Sequence, residues 1–285
     1  MFVIVGGTGR VGSATAEALL AEGQAVIIVT RSGAKGRAWI ERGAEVAVAD
    51  LHDVDALRAV FRRGRRAFLL NPPADPASDT DREERDTVRC LLAALEGSGL
   101  EQVVAQSTYG ARAGEACGDL TVLHGLEEGL RNQPIPALVM RAAYMMSNWD
   151  AGLETARASG VLPSMLPREL MLPMVAPQDL GRVAARLLRE PARGMETHHV
   201  EGPERYSPAD VAAAFAAALG RAVEVDVVER ERWEEAFRSF GFSPEAARSF
   251  ARMTAVTVDE PLLPAAPSRG NISLARYALD AARRR

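Results

Sequence analysis

Gly6-Gly7-Thr8-Gly9-Arg10-Val11-Gly12 is the first stretch whose residue types and spacing could do chemistry. Gly6, Gly9 and Gly12 stand three apart, between an apolar run, Phe2 to Val5, and the start of a helical pattern. A pyrophosphate must reach backbone N–H groups without a Cβ in the way, and a helix N-terminus adds positive potential. Glycine also tolerates the backbone angles such a turn requires. Alone, the spacing describes only a tight turn. Placed after a first strand and opening a helix, it predicts dinucleotide binding by Gly6, Thr8, Gly9, Arg10, Val11 and Gly12.

The end of the second apolar run, Ile28-Val29-Thr30-Arg31-Ser32, carries a cation where a coenzyme lacking the 2′-phosphate is usually met by an acid. Guanidinium pairs bidentately with phosphate. Lys35, the only lysine beside 33 arginines, follows in the same predicted loop. The pair favours NADP(H), with NAD(H) still admissible; two solvated surface cations are the plain alternative. Asp50 and Leu51 follow the third strand, where a carboxylate can accept from an adenine amino group and the leucine can pack the ring. The competing role for Asp50 is a turn or cap. Asn71-Pro72 after the fourth strand and Ser107 after the fifth are expected at the nicotinamide end.

The candidate proton donors are Tyr109, as a hydrogen bond to a substrate carbonyl, and His124, which titrates near neutrality. Loop packing and a helix-to-loop tie are the structural alternatives. The tyrosine–lysine dyad of ordinary short-chain reductases is absent. The residue four after Tyr109 is Ala113, and four after Tyr144 is Asn148. An acceptor needing little protein acid, such as a quinone or another electron-poor conjugated system, remains open. Tyr144, Met145, Met146 and Trp149 make an aromatic and thioether group that suits a flat ligand or a core equally. Arg141 is expected to pair with Glu127. His198-His199 alternates across a strand, so no metal site is predicted. Cys90 reads as inert core, and Cys117 as an exposed loop residue.

These residues need strands to carry them to one edge. Strands are predicted over Phe2–Val5, Ala25–Val29, Glu45–Ala49, Ala67–Leu70, Gln102–Ala105 and Ala137–Met140. Between them lie helices, including Arg37–Arg42, Asp53–Phe61, Thr80–Leu95 and Leu120–Leu130. The alternation, with strands apolar throughout, predicts an α/β fold: a Rossmann-type doubly wound parallel sheet with a smaller C-terminal α/β lobe. Residues 1–150 form the dinucleotide-binding domain, 175–200 return to it, and 151–285 form the substrate-side lobe. Helices are expected over Pro177–Leu188, Pro208–Leu219, Arg230–Phe240 and Pro244–Met253. Residues 160–177 show no period, Asp259–Asn271 reads as loop, and Arg283–Arg285 as a frayed tail.

Composition bounds the rest. The chain has 285 residues, 47% hydrophobic and 25% charged, with a net charge of −4. That gives no basic field for a nucleic acid. No apolar run nears the roughly 20 residues that span a bilayer. The opening strand leaves no room for a signal peptide, and two cysteines make no disulfide framework, so a cytoplasmic location is expected. A homodimer is compatible with all of this.

The glycine turn, Arg31 with Lys35, Ala49-Asp50-Leu51, and the stretch from His124 to Asn148 resemble the NmrA-like family of atypical short-chain dehydrogenases/reductases. Glu127, Arg141 and Asn148 match a family glutamate followed by an arginine–asparagine pair; Asp179 and Gly202-Pro203 match later segments. The likeness spans about residues 2–240. It implies a Rossmann domain with a small lobe, the substrate lying between them. Members include NADPH-dependent quinone oxidoreductases and triphenylmethane dye reductases. A lysine that some relatives keep on the helix holding His124 to Arg131 is missing. The expected activity is hydride transfer from NADPH to a quinone-like or polycyclic aromatic acceptor lined by Tyr109, Tyr144 and Trp149. The rival is a non-catalytic NADP(H)-binding redox sensor, which some family members are.

Overall fold

Strands that are apolar on both faces need helices on both sides of the sheet, and the chain supplies them alternately. A computed structural model describes residues 1–284. β1 (Phe2–Ile4), β2 (Val26–Thr30), β3 (Glu45–Val48), β4 (Arg66–Leu69), β5 (Gln102–Thr108) and β6 (Ala137–Ala142) are joined by five helices. These are α1 (Arg10–Ala21), α2 (Gly33–Glu41), α3 (Val54–Phe61), α4 (Thr80–Leu95) and α5 (Asp119–Arg131). There follow β7 (Tyr144–Met145), a 3₁₀ turn over Met146–Trp149, α6 (Asp150–Ser159), β8 (Val161–Ser164), β9 (Leu172–Val175), α7 (Pro177–Arg189) and β10 (Met195–Glu201). The chain continues through β11 (Arg205–Tyr206), α8 (Pro208–Leu219), β12 (Glu224–Val227), α9 (Trp233–Ser239), α10 (Pro244–Asp259), β13 (Ser268–Arg269) and α11 (Leu274–Arg283).

The main sheet is parallel throughout, in the order β13-β10-β6-β5-β4-β1-β2-β3. The direction of winding reverses between β1 and β4, which makes the crevice at their carboxyl ends the place for a ligand. Leu57, Phe61, Leu91 and Leu126 from α3, α4 and α5 cover one face. Leu19, Leu180 and Leu188 from α1 and α7 cover the other. The return of α7 is fixed at the opposite edge, where Arg66 donates to the Leu188 carbonyl at 2.6 Å and Gln102 to the Leu187 carbonyl at 3.0 Å. A second core gathers Met146, Trp149, Leu153, Phe215 and Tyr277 from the 3₁₀ turn, α6, α8 and α11. There β9 lies between β7 and β11, and β8 pairs with β12.

Several boundaries differ from the sequence expectation. α2 starts at Gly33, because the Ser32 hydroxyl caps it by accepting the Lys35 N–H at 3.5 Å. Lys35 is therefore in a first helical turn and not in a loop. β5 runs on to Thr108 and β6 to Ala142, each extended by the other's ladder, so Ser107 and Arg141 are strand residues in register. The aperiodic stretch 160–177 holds β8 and β9, and the predicted loop Asp259–Asn271 holds β13, which joins the main sheet beside β10. Arg283 is the last residue of α11 and not part of a tail; Arg285 lies outside the described residues. Cys117 is buried and Cys90 half-buried, the reverse of the expected order.

Candidate active site

The glycine turn lies at the carboxyl end of β1. Gly6 has φ +67°, a conformation costly for any residue with a Cβ. A side chain on Gly12 would strike the Gly6 carbonyl oxygen, and one on Gly7 would meet Ile28. The turn closes on itself through the Gly9 N–H to the Gly6 carbonyl, 2.9 Å. Gly9 caps α1 without a side-chain hydrogen bond, and no acidic residue occupies the first turn. The helix thus presents N–H groups with no anionic partner of its own. Val11 is buried in the core, so only its backbone is available here; Thr8 and Arg10 are exposed.

Arg31 and Lys35 stand exposed just past β2. A cation in the first turn opposes the helix dipole, and α2 has no acid there to offset it. Arg31, Lys35 and the α2 N-terminus thus place three positive features in one short stretch at the carboxyl end of β2. Asp50, next along that edge, accepts the His52 N–H at 2.9 Å and faces its ring at 3.2 Å. The His52 N–H chiefly holds the Asp50 carboxyl below its ordinary value, with Arg31 adding to the effect. Leu51 is half-buried against the core. Asn71 and Pro72 follow β4, and the buried Asn71 Oδ1 has no hydrogen-bond partner among the described residues.

Beyond β4 the site becomes a network. Ser107, Arg141 and His199 occupy adjacent positions across β5, β6 and β10. Ser107 Oγ donates to Glu127 on α5 at 2.6 Å, and Arg141 binds the same carboxylate with two N–H groups at 2.8 and 2.6 Å. This spends the Ser107 hydroxyl on Glu127. Glu127 raises the Arg141 pKa in return. Removing either partner of such a buried pair costs about 3–5 kcal/mol. Burial, helped by Arg141, lowers the His199 pKa.

Two residues beyond Ser107 and His199, Tyr109 just past β5 donates to Glu201 Oε1 at 3.2 Å, and Arg269 on β13 lies 3.2 Å from Oε2. Burial, then Glu201, pushes the Tyr109 phenol far above its ordinary value. Its ring meets His199 edge-on at 5.3 Å. Tyr109 is thus a poor proton source. His124 is half-buried on α5, one turn before Glu127; its Nδ1 has no partner among the described residues. Tyr144 and Trp149 pack at 5.9 Å in the second core. Burial pushes the Tyr144 phenol up to about 12. Trp149 is 5% exposed and belongs to the second core.

Sequence reasoning passed over three residues. Glu201 is fully buried at the end of β10, and the polar run Glu196-Thr197-His198-His199 before it gave no apolar pattern to mark it. Glu84, buried on α4, accepts the Ala74 N–H at 3.0 Å and braces the loop after Asn71-Pro72. Burial, then Asp119, pushes it to about 8. Asp150 binds Arg10 at 2.5 Å across a separation no local pattern reveals.

The NmrA-like family model matches residues 1–263. An NAD(P)H azoreductase of Xenophilus azovorans is 23% identical over 256 residues, covering 90% of this chain and 87% of its own. A nitrogen metabolite regulation-like protein of Gibberella fujikuroi is 30% identical over 212 residues, 66% of this chain and 61% of its own. An NADPH-dependent quinone oxidoreductase of Escherichia coli superposes with a TM-score of 0.78 at 20% identity, covering 98% of both chains. That last likeness is one of fold.

Proposed function

Because the chain belongs to the NmrA-like family, we propose that it is an NADPH-dependent oxidoreductase whose hydride acceptor is a quinone-like or polycyclic aromatic compound. The observation that carries this reading is the bare α1 N-terminus behind a turn that excludes any Cβ at Gly12, on the same edge as Arg31 and Lys35. The free N–H groups of Arg10 to Gly12 would hold the pyrophosphate, and Arg31 with Lys35 the 2′-phosphate. The unpartnered Asn71 Oδ1 offers an acceptor at the nicotinamide end. Bound there, the coenzyme supplies the hydride. The protein's part is to position two flat reactants, with Tyr144 and the edge of Trp149 beside the acceptor. Tyr109, its proton directed to Glu201, orients rather than protonates, so the proton for the reduced acceptor comes from solvent. The azoreductase and quinone oxidoreductase likenesses support an aromatic acceptor.

Coenzyme binding without turnover is the second reading. It is favoured by the locked Tyr109 hydroxyl and by the regulation-like relative. NADPH consumption measured against a panel of quinones and azo dyes separates the two. Turnover with at least one acceptor is expected. Tight NADPH binding with no consumption across the panel would transfer the conclusion to a sensor.

A further inference from the structure

Arg10, the first residue of α1, projects from the glycine turn with its side chain 55% exposed. Its Nη1 donates at 2.5 Å to Asp150 Oδ2, a carboxylate only 17% exposed. Asp150 opens α6 immediately after Trp149, and its Oδ1 accepts the Tyr277 hydroxyl at 2.9 Å. Tyr277, on α11, is 2% exposed. Arg284 donates to the Tyr277 hydroxyl at 3.3 Å and lies 3.6 Å from Asp150 Oδ2. One carboxylate therefore ties the phosphate-binding turn to the first residue of α6 and to α11.

We propose that Asp150 is a positioning residue that holds the Arg10 guanidinium in place for the coenzyme pyrophosphate and anchors it, through Tyr277, to the second lobe. The inference rests on the reading that the glycine turn binds the pyrophosphate. Its physical case has two parts. An unrestrained arginine at an exposed turn loses rotamer freedom on gripping a ligand. A single arm fixed in advance by Asp150 leaves the rest of the planar fork to bind phosphate with less of that loss. A carboxylate beside a pyrophosphate would ordinarily repel it, but this one sits between Arg10 and Arg284 and receives the Tyr277 O–H. Two guanidinium groups against one carboxylate leave the cluster net positive. Asp150 can therefore position Arg10 without turning the turn against an anion.

The placement of Asp150 adds a consequence for catalysis. It follows directly on the segment Tyr144–Trp149, which the proposed function puts beside the acceptor. The grip on the pyrophosphate and the wall of the acceptor site are then parts of one hydrogen-bonded assembly.

The test is a double-mutant cycle on the full chain, with Arg10→Ala, Asp150→Ala and the pair, read by calorimetric titration with NADPH and with 2′-AMP. The second probe keeps the 2′-phosphate and lacks the pyrophosphate. Asp150→Ala is expected to weaken NADPH by about tenfold, and to have almost no further effect once Arg10 is alanine. Affinity for 2′-AMP should stay within about twofold in every variant. Asp150→Asn, which can still accept from Arg10, should recover part of the loss. Equal weakening of both probes would mark a structural role and overturn the proposal. So would an Asp150→Ala effect that persists in full without Arg10, or unaltered NADPH binding. If the unmutated chain binds 2′-AMP but gains nothing from the pyrophosphate of NADPH, this proposal fails while the 2′-phosphate site stands. If it binds neither probe, the coenzyme reading fails first and this one with it.

Discussion

Tyr109 gives its hydroxyl hydrogen to Glu201, a carboxylate with no solvent exposure, across 3.2 Å. The bond joins the residue just past β5 to the last residue of β10, two strands away. A negative charge beside a phenol disfavours the phenolate, so Glu201→Gln should let Tyr109 ionise at lower pH than in the unmutated chain. Alkaline titration of phenolate absorbance, with Tyr109→Phe as the reference that lacks the group, measures this. A titration unmoved or shifted upward would mean that Glu201 does not govern Tyr109.

The positive spot beyond β2 predicts coenzyme selectivity. Arg31→Ala should weaken NADPH about tenfold and NADH by less than about twofold, since only the former carries a 2′-phosphate for the guanidinium to pair. Fluorescence titration with each coenzyme decides it. Equal losses would remove Arg31 from the phosphate site and reduce it to a solvated cation.

Glu84 predicts a pH dependence of stability. Its folded-state pKa of about 8 lies above the ordinary value of 4.5, chiefly through burial. Between those two values the folded chain keeps a proton that the unfolded chain releases, so Glu84's contribution to stability is full below 4.5 and falls as pH rises towards 8. For one proton the slope is at most about 1.4 kcal/mol per pH unit. Glu84→Gln retains an acceptor for the Ala74 N–H and cannot ionise. Urea denaturation at a series of pH values should show the variant losing less stability than the parent over that window. Parallel curves would show that Glu84 is already ionised in the folded state.

How much of this could be read in advance depends on the range of each interaction. Ser207 capping α8, Gly220 ending it, and Thr80–Leu95 as a helix are local matters of hydrogen bonding and spacing, and they stand as expected. The glycine turn likewise declares itself within a few residues. β8 and β9 were hidden because short strands containing Pro163 and Pro173 show no period. α11 did leave a trace: Ser273 as a cap, with Leu274, Tyr277, Ala278 and Ala281 on one face. Tyr109 with Glu201 and Arg10 with Asp150 left none, for such partners meet only when the sheet and the second lobe close. The pairing of Arg141 with Glu127 was visible because the two flank a single helix-to-strand connection.

The chain passes between its two cores several times. After β6 it enters the second core, α7 and β10 bring it back, α8 and β12 leave again, and β13 adds one more rung to the main sheet before α11 departs. No single cut separates the lobes. A chimera meant to alter acceptor choice would have to exchange several discontinuous stretches at once, each threaded through the scaffold it leaves. In such an architecture, new specificity is more accessible through individual side chains of the proposed acceptor wall, between Tyr144 and Trp149, than through the transplant of a module.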